Sequence, residues 1–148
     1  MNPERLIVAI IIVFIGIFAT DFLIHGVWLK NDYAASASLW RPEAEMQKFM
    51  GWLMLGQLLA AITSTTLYAK GFADKACPVC AVMFGLFMGL FMQANTFITY
   101  AVQPIPAGIA VKWFVAGIVQ GALLGLLLFF AYKPKPDGGK RISGGPGK

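Results

Sequence analysis

Four long apolar stretches constrain this chain more than any other feature of its sequence. Each stretch is continuously apolar rather than alternating, and each is long enough to cross a bilayer as a helix. Only 13% of the 148 residues are charged, whereas about a quarter are charged in an average soluble domain. The sequence therefore predicts an all-α polytopic membrane protein with four transmembrane helices, at residues 6–29, 49–68, 79–102 and 109–132.

Both ends of the chain are predicted to lie on one side of the membrane, because the number of spans is even. A polar loop joins the first two spans, a short loop follows the second, and Pro104 and Pro106 break the helix after the third. These connections predict a bundle of two helical hairpins. Lysine and arginine are more frequent on the side of the termini, which predicts that both termini are cytoplasmic.

The last residues differ in composition from the rest of the chain. Residues 1–132 are predicted to form the transmembrane domain. Residues 133–148 are basic and rich in Gly and Pro, so we expect a disordered cytoplasmic tail that contacts anionic lipid. Nucleic acid is not expected as a partner, because basic residues interleaved with Gly and Pro do not form a folded nucleic-acid-binding surface.

Asp21 and His25 interrupt the first apolar stretch. His25 is the one histidine of the chain, and it follows Asp21 by four residues, which places both side chains on one face of an α-helix. An acid inside a membrane helix is costly unless a partner or water meets it. This pair is therefore the first hypothesis for a functional site.

Polar side chains occur in all four spans, in the half of each span nearest the loops that face away from the termini. Together they predict a polar pocket that binds a proton, a cation, a lipophilic cofactor or a quinone head group. The alternative is that they only hold the helices together, each hydrogen bond contributing about 1 kcal/mol. The members are Asp21, His25, Gln57, Gln93, Asn95, Thr96, Thr99, Tyr100, Lys112 and Gln120.

Two members of this set have further alternatives. Lys112 either extends its ammonium group to the membrane interface or pairs with Asp21 as a structural ion pair. His25 is a weak candidate for haem or chlorophyll ligation, because no partner ligand accompanies it. The sequence therefore does not identify a cofactor.

Small residues recur at four-residue spacing in the last two spans. Ala81, Gly85 and Gly89 form one row, and a second row consists of Gly117, Gly121 and Gly125. Such rows let helix backbones approach closely. They predict helix packing, either between the third and fourth spans or with another subunit.

Cys77 and Cys80 form a CxxC motif at the start of the third span. Pro78 suits a helix start, where the helix dipole favours a thiolate. Three roles remain open: a structural one, a redox-active pair, or a metal site. A metal site would need two more soft ligands from a second copy of the chain, so no metal is expected in a single copy.

The chain resembles two groups of membrane proteins. The motifs DFLIHGVWLK at 21–30, LWRP at 39–42, YAVQP at 100–104 and KWF at 112–114 resemble an uncharacterised group of small four-span bacterial proteins. That resemblance implies a bacterial inner-membrane location and supplies no activity. In size, helix count and CxxC motif the chain is also similar to four-helix quinone-linked thiol oxidoreductases, although it lacks their second cysteine pair.

Four functional hypotheses follow from these observations. The leading one is an accessory subunit or assembly factor of a larger membrane complex, since the chain is small, carries glycine rows and has no complete catalytic set. The second is a carrier of a proton, ion or lipophilic cofactor centred on Asp21 and His25. The third is a thiol–quinone oxidoreductase using Cys77 and Cys80, and the fourth is a sensor of lipid or pH. The expected partners are the lipid bilayer and other membrane subunits or a second copy, and a non-enzymatic role is favoured.

Overall fold

The structure, a computed structural model, describes residues 2–73 and 77–132. Within these ranges the chain is helical and contains no strand. The elements in order are α1 (Pro3–Asp21), a π-helical segment (Phe22–Trp28), α2 (Lys30–Ala35), a 3-10 turn (Ala37–Leu39), α3 (Glu43–Met46), a second 3-10 turn (Gln47–Phe49), α4 (Met50–Gly71), α5 (Pro78–Val102) and α6 (Ala107–Ala131).

Four helical stretches are long and apolar enough to cross a membrane, as predicted. They are Pro3–Trp28, Ala37–Gly71, Pro78–Val102 and Ala107–Ala131. Within the described residues, the prediction of an all-helical chain with four helices able to cross a membrane is confirmed. The cytoplasmic location of the termini and the bacterial inner membrane remain predictions, and the predicted disordered tail at 133–148 lies outside the described residues.

Local chemistry sets several helix ends. Asn2 caps α1, because its Oδ1 accepts hydrogen bonds from the backbone N–H groups of Glu4 and Arg5. Pro78 occupies the first position of α5, where a missing N–H costs no helical hydrogen bond. At the other end, α5 stops at Val102 and α6 begins after Pro106, as the two prolines predicted.

The glycine rows account for the closest helix contact, which is between α5 and α6. A methyl group built on Gly85 would overlap the carbonyl oxygen of Gly121, and one built on Gly125 would overlap the carbonyl oxygen of Ala81. On Gly89 it would lie 2.8 Å from the carbonyl oxygen of Gly117. Both rows are therefore used inside the chain, between the third and fourth spans.

Helix α1 connects α4 to the α5–α6 pair. Helix α1 packs against both α4 and α6, and Gly16 lets Leu127 of α6 approach it. The contact between α4 and α5 is small by comparison. It includes an aromatic cluster in which the rings of Tyr68 and Phe72 lie 5.6 and 4.9 Å from that of Phe84.

A π-helical segment of seven residues continues α1, a feature that the residue pattern did not predict. The backbone N–H of Leu29 donates to the carbonyl of Ile24 at 2.9 Å, which is the five-residue bond of a π-helix. In an α-helix Asp21 and His25 would share a face. The π-helical segment keeps Asp21 close enough to His25 to act on it electrostatically, but the two side chains have separate hydrogen-bond partners.

The helices end at two sides of the molecule, called the loop end and the terminal end. The loop end comprises residues 29–49 and 103–106. The terminal end comprises residues 2–5, 72–73 and 77–80.

Candidate functional site

Asp21 is held by amide groups from two other helices. Gln57 on α4 donates from Nε2 to Asp21 Oδ2 at 2.7 Å, and Gln120 on α6 donates from Nε2 to Asp21 Oδ1 at 2.6 Å. Each carboxylate oxygen therefore accepts one hydrogen bond from a neutral donor. Three predicted site residues from three different spans meet at this point.

Thr20 is a member of this cluster that the list of candidate residues omitted. Its hydroxyl donates to the backbone carbonyl of Gly16 at 2.7 Å, and it accepts the second hydrogen of the Gln120 amide at 2.7 Å. Threonine in a membrane helix usually bonds back to its own helix, so its position gave no signal.

Among the polar atoms of this cluster, the oxygen of the Gln57 amide lacks a hydrogen-bond partner within the described part of the chain. Gln57 is 8% exposed, and its Oε1 is buried without a hydrogen-bond partner among the residues that the structure describes. A buried carbonyl oxygen that lacks a donor costs free energy. This acceptor belongs to the amide group that holds Asp21.

His25 makes its contacts with α2 and α6 instead. Its Nδ1 lies 2.6 Å from the hydroxyl of Tyr33, and Trp113 donates its indole N–H to the same hydroxyl at 2.7 Å. The rings of His25 and Tyr33 are stacked, with centroids 6.1 Å apart. Neither Tyr33 nor Trp113 was among the candidate site residues, although Tyr33 bonds to His25 and also to Trp113, which lies 80 positions further along the chain.

Burial raises the pKa of the Tyr33 phenol, and the negative charge of Asp32 raises it further. The Trp113 N–H, which favours the phenolate, opposes these effects in part. The phenol therefore stays protonated well beyond neutral pH.

Lys112 pairs with Asp32 in α2, which answers the question left open for it. Its Nζ donates to Oδ1 at 2.9 Å and to Oδ2 at 2.8 Å. The ammonium group also lies 5.8 Å from the ring centroid of Trp28. The alternative pairing with Asp21 is thus not formed.

Trp40 completes the contact between the loop end and α6. Its indole N–H donates to Ser36 at 2.9 Å, and its ring packs against those of Tyr33 and Trp113, with centroids 5.2 and 5.9 Å away. Residues 30–40 are therefore fastened to α6 by one ion pair and by a cluster of aromatic rings.

A cavity of about 300 Å³ lies among the π-helical segment, α5 and α6. His25 and Trp113 line it near the loop end, and Gln120 lines it near Asp21. Of the described residues on its wall, His25 alone is titratable. The full lining is Ile24, His25, Met92, Gln93, Asn95, Thr96, Thr99, Trp113, Ala116, Gly117 and Gln120.

Of the predicted pocket residues on α5, most line this cavity and one lies outside its lining. Gln93 accepts a hydrogen bond from Thr96 at 2.5 Å, and Thr99 donates back to the carbonyl of Asn95 at 2.9 Å. These four residues line the cavity, whereas Tyr100 is 45% exposed. A methyl group on Gly117 would overlap the side chain of Gln93, so this glycine makes room for that amide.

Cys77 and Cys80 lie at the terminal end, on the first turn of α5. The Cys77 sulfur accepts a hydrogen bond from the backbone N–H of Cys80 at 3.2 Å, so it acts as the N-cap of the helix. Met92, the cavity residue nearest to Cys80 in sequence, is twelve residues further on, which is about 18 Å along the helix. The thiols and the cavity are therefore separate places.

Comparison of the chain with protein-family models, with curated proteins and with solved structures found no match. The resemblance to uncharacterised four-span bacterial proteins therefore stays a prediction, and any function has to be argued from the site.

Proposed function

We propose that this protein binds the polar head group of a lipophilic molecule in the cavity among the π-helical segment, α5 and α6. The observation that carries the proposal is the cavity itself, with hydrogen-bonding side chains on its wall inside helices apolar enough to lie in lipid. Small-molecule pockets have volumes of about 300–1,000 Å³, so about 300 Å³ holds a head group rather than a whole lipid.

The charges around the cavity favour a neutral head group. Lys112 and Asp32 neutralise one another at the loop end, and both carboxylate oxygens of Asp21 already accept amide hydrogen bonds. The amides of Gln93 and Asn95 and the hydroxyl of Thr99 are left as the polar groups of the α5 wall. Neutral donors and acceptors of this kind recognise carbonyl and hydroxyl groups.

The hydrogen bonds of Tyr33 support an N–H donor on the His25 side of the cavity. Trp113 N–H only donates, so it uses a lone pair of the Tyr33 oxygen. If the phenol hydrogen then goes to His25 Nδ1, the hydrogen of the neutral imidazole is on Nε2. A head group with a carbonyl oxygen, such as a quinone or an ester, matches that donor.

The other hypotheses have less support in the arrangement of side chains. The glycine rows had favoured a complex subunit, but α5 and α6 use them to pack against each other. A thiol–quinone oxidoreductase needs its thiols beside its quinone, whereas Cys80 and the cavity are about 18 Å apart along α5. Both hypotheses remain without a specific observation in their favour.

Mild extraction from native membranes, followed by mass spectrometry of bound lipophilic molecules, tests the proposal. Ala116 lines the cavity, and Val115 beside it is 49% exposed. We expect one class of lipophile to accompany the wild type and the Val115→Phe control, and to be lost from Ala116→Phe, whose ring fills the cavity. Equal lipophile content in all three proteins would refute the proposal.

A further inference from the structure

We infer that Asp21, Gln57 and Gln120 form a proton-binding site inside the membrane-spanning helices, in which the Gln57 amide reports the protonation state of Asp21. This site is distinct from the head-group cavity and does not depend on a ligand being bound there. Gln120 is the residue that the two places share.

An ionised Asp21 would carry a charge that no basic side chain of the adjoining helices neutralises. Helices α1, α4 and α6 each carry one basic residue, and all three lie towards helix ends: Arg5, Lys70 and Lys112. Arg5 is sixteen residues from Asp21, about 24 Å along the helix, and Lys70 is thirteen residues from Gln57, about 20 Å. Lys112 is the nearest of them, and it is bound to Asp32.

Two neutral amides do not cancel a full charge in an apolar surrounding, and a carboxylate there favours a bound cation or its own protonated form. The remaining titratable or acidic groups of the adjoining elements are Glu4 on α1, His25 on the π-helical segment and Tyr68 on α4. Glu4 and Tyr68 lie towards the terminal ends of their helices. His25 is close enough for Asp21 to act on it electrostatically, and its Nδ1 is bonded to the Tyr33 hydroxyl.

The amide oxygen of Gln57 has no hydrogen-bond partner among the described residues. This Oε1 is buried without a donor, while Nε2 of the same amide donates to Asp21 Oδ2 at 2.7 Å. Rotating the amide by half a turn exchanges the two atoms and places Oε1 against Asp21 Oδ2. In that orientation the amide accepts a hydrogen bond, which an ionised carboxylate is unable to donate and a protonated one donates.

The two states therefore differ by one proton and one amide rotation. Proton transfer from a hydronium ion to Oδ2 breaks one O–H bond of the hydronium, forms one O–H bond on Asp21, leaves a water molecule and removes the negative charge of the carboxylate. Gln120 keeps its hydrogen bond to Oδ1 in both states, since an acid's carbonyl oxygen still accepts from an amide. Gln57 connects α1 to α4, so the rotation occurs at the contact between these helices.

Modification by dicyclohexylcarbodiimide, which reacts with protonated carboxyl groups in apolar surroundings, tests this assignment. The full chain in phosphatidylcholine vesicles is treated over a range of pH, and peptides are analysed by mass spectrometry. We expect Asp21 to be modified, the modified fraction to fall as pH rises, and Na⁺ or K⁺ at constant ionic strength to leave it unchanged. Protection by either metal ion at fixed pH, or an unmodified Asp21 at every pH in folded protein, would overturn the proposal.

Infrared difference spectroscopy tests the amide rotation separately. The acid-minus-neutral spectrum of the wild type should contain a hydrogen-bonded carboxylic acid C=O band that disappears in Asp21→Asn. In Gln57→Leu the band should remain and move to higher frequency, because the acid has lost its acceptor. The control Gln47→Leu changes an exposed glutamine in the second 3-10 turn and should leave the band in place. A band at the same frequency in Gln57→Leu would contradict the role of Gln57.

Discussion

Lys112 holds both carboxylate oxygens of Asp32, at 2.9 and 2.8 Å, and thereby fastens α2 to the first turns of α6. The neighbouring residues repeat the connection, because Trp113 donates to the hydroxyl of Tyr33. Two adjacent residues of α6 thus hold two adjacent residues of α2. This double contact positions Tyr33 against His25 on the wall of the cavity.

The ion pair should contribute measurably but modestly to stability. Its side chains are 37% and 30% exposed, for Lys112 and Asp32 respectively, so solvent screens part of the attraction. A double-mutant cycle with Asp32→Asn and Lys112→Met should give a coupling free energy of about 0.5–1 kcal/mol in detergent unfolding. Additive effects of the two substitutions would show that the pair contributes nothing.

The contact between α5 and α6 should be intolerant of a single added methyl group. Gly85→Ala places that methyl against the backbone of Gly121, so the helices must separate, which costs about 1–3 kcal/mol. Gly56→Ala in α4 is the matched control, since a methyl there has no atom within 4 Å beyond its chain neighbours and the adjoining backbone of its own helix. Thermal unfolding of both variants should show a loss for Gly85→Ala alone, and equal stability would contradict the packing.

Alkaline pH should weaken the contribution of Tyr33. Burial raises its pKa, so the folded state holds the phenol proton more tightly than the unfolded state, and that stabilisation is complete below the ordinary tyrosine value of about 10. It is lost as pH rises through the raised pKa. The stability difference between wild type and Tyr33→Phe should be constant from about pH 8 to about pH 10 and shrink above it. A difference that changes around neutral pH would point to another group.

Cys77 should be replaceable by any residue that caps a helix. Its sulfur accepts the N–H of Cys80, a role that serine fulfils with its hydroxyl oxygen. Cys77→Ser should keep the wild-type stability, and Cys77→Val should lose about 1 kcal/mol. Equal losses in both variants would show that the sulfur itself is required, which would revive the redox or metal hypotheses.

The parts of this structure that hydropathy and local chemistry determine were predictable. Continuous apolar composition predicted the four helices that are long enough to cross a membrane, and the glycine rows predicted a close helix contact, which α5 and α6 make. The meeting of Asp21 with Gln57 and Gln120 also agrees with an estimate of depth along each helix, since an acid in lipid needs polar partners at its own level.

Other parts depend on tertiary contacts that no local pattern encodes. The π-helical segment shifts the hydrogen bonds of Phe22–Trp28 by one residue, a change that the apolar pattern of these residues does not encode. Asp32, the partner of Lys112, lies 80 positions away in the polar loop between the first two spans. Nothing in that loop's sequence distinguished it from an ordinary connecting segment. Tyr33 was missed for the same reason.

The most direct test of the account is an experimental structure of the protein in native lipid at a resolution that shows bound molecules. The account predicts density for a non-protein group between His25 on the π-helical segment, Asn95 on α5 and Trp113 on α6, continuing as an apolar tail among the helices. A cavity occupied only by water, or closed by the protein's own side chains, would contradict it.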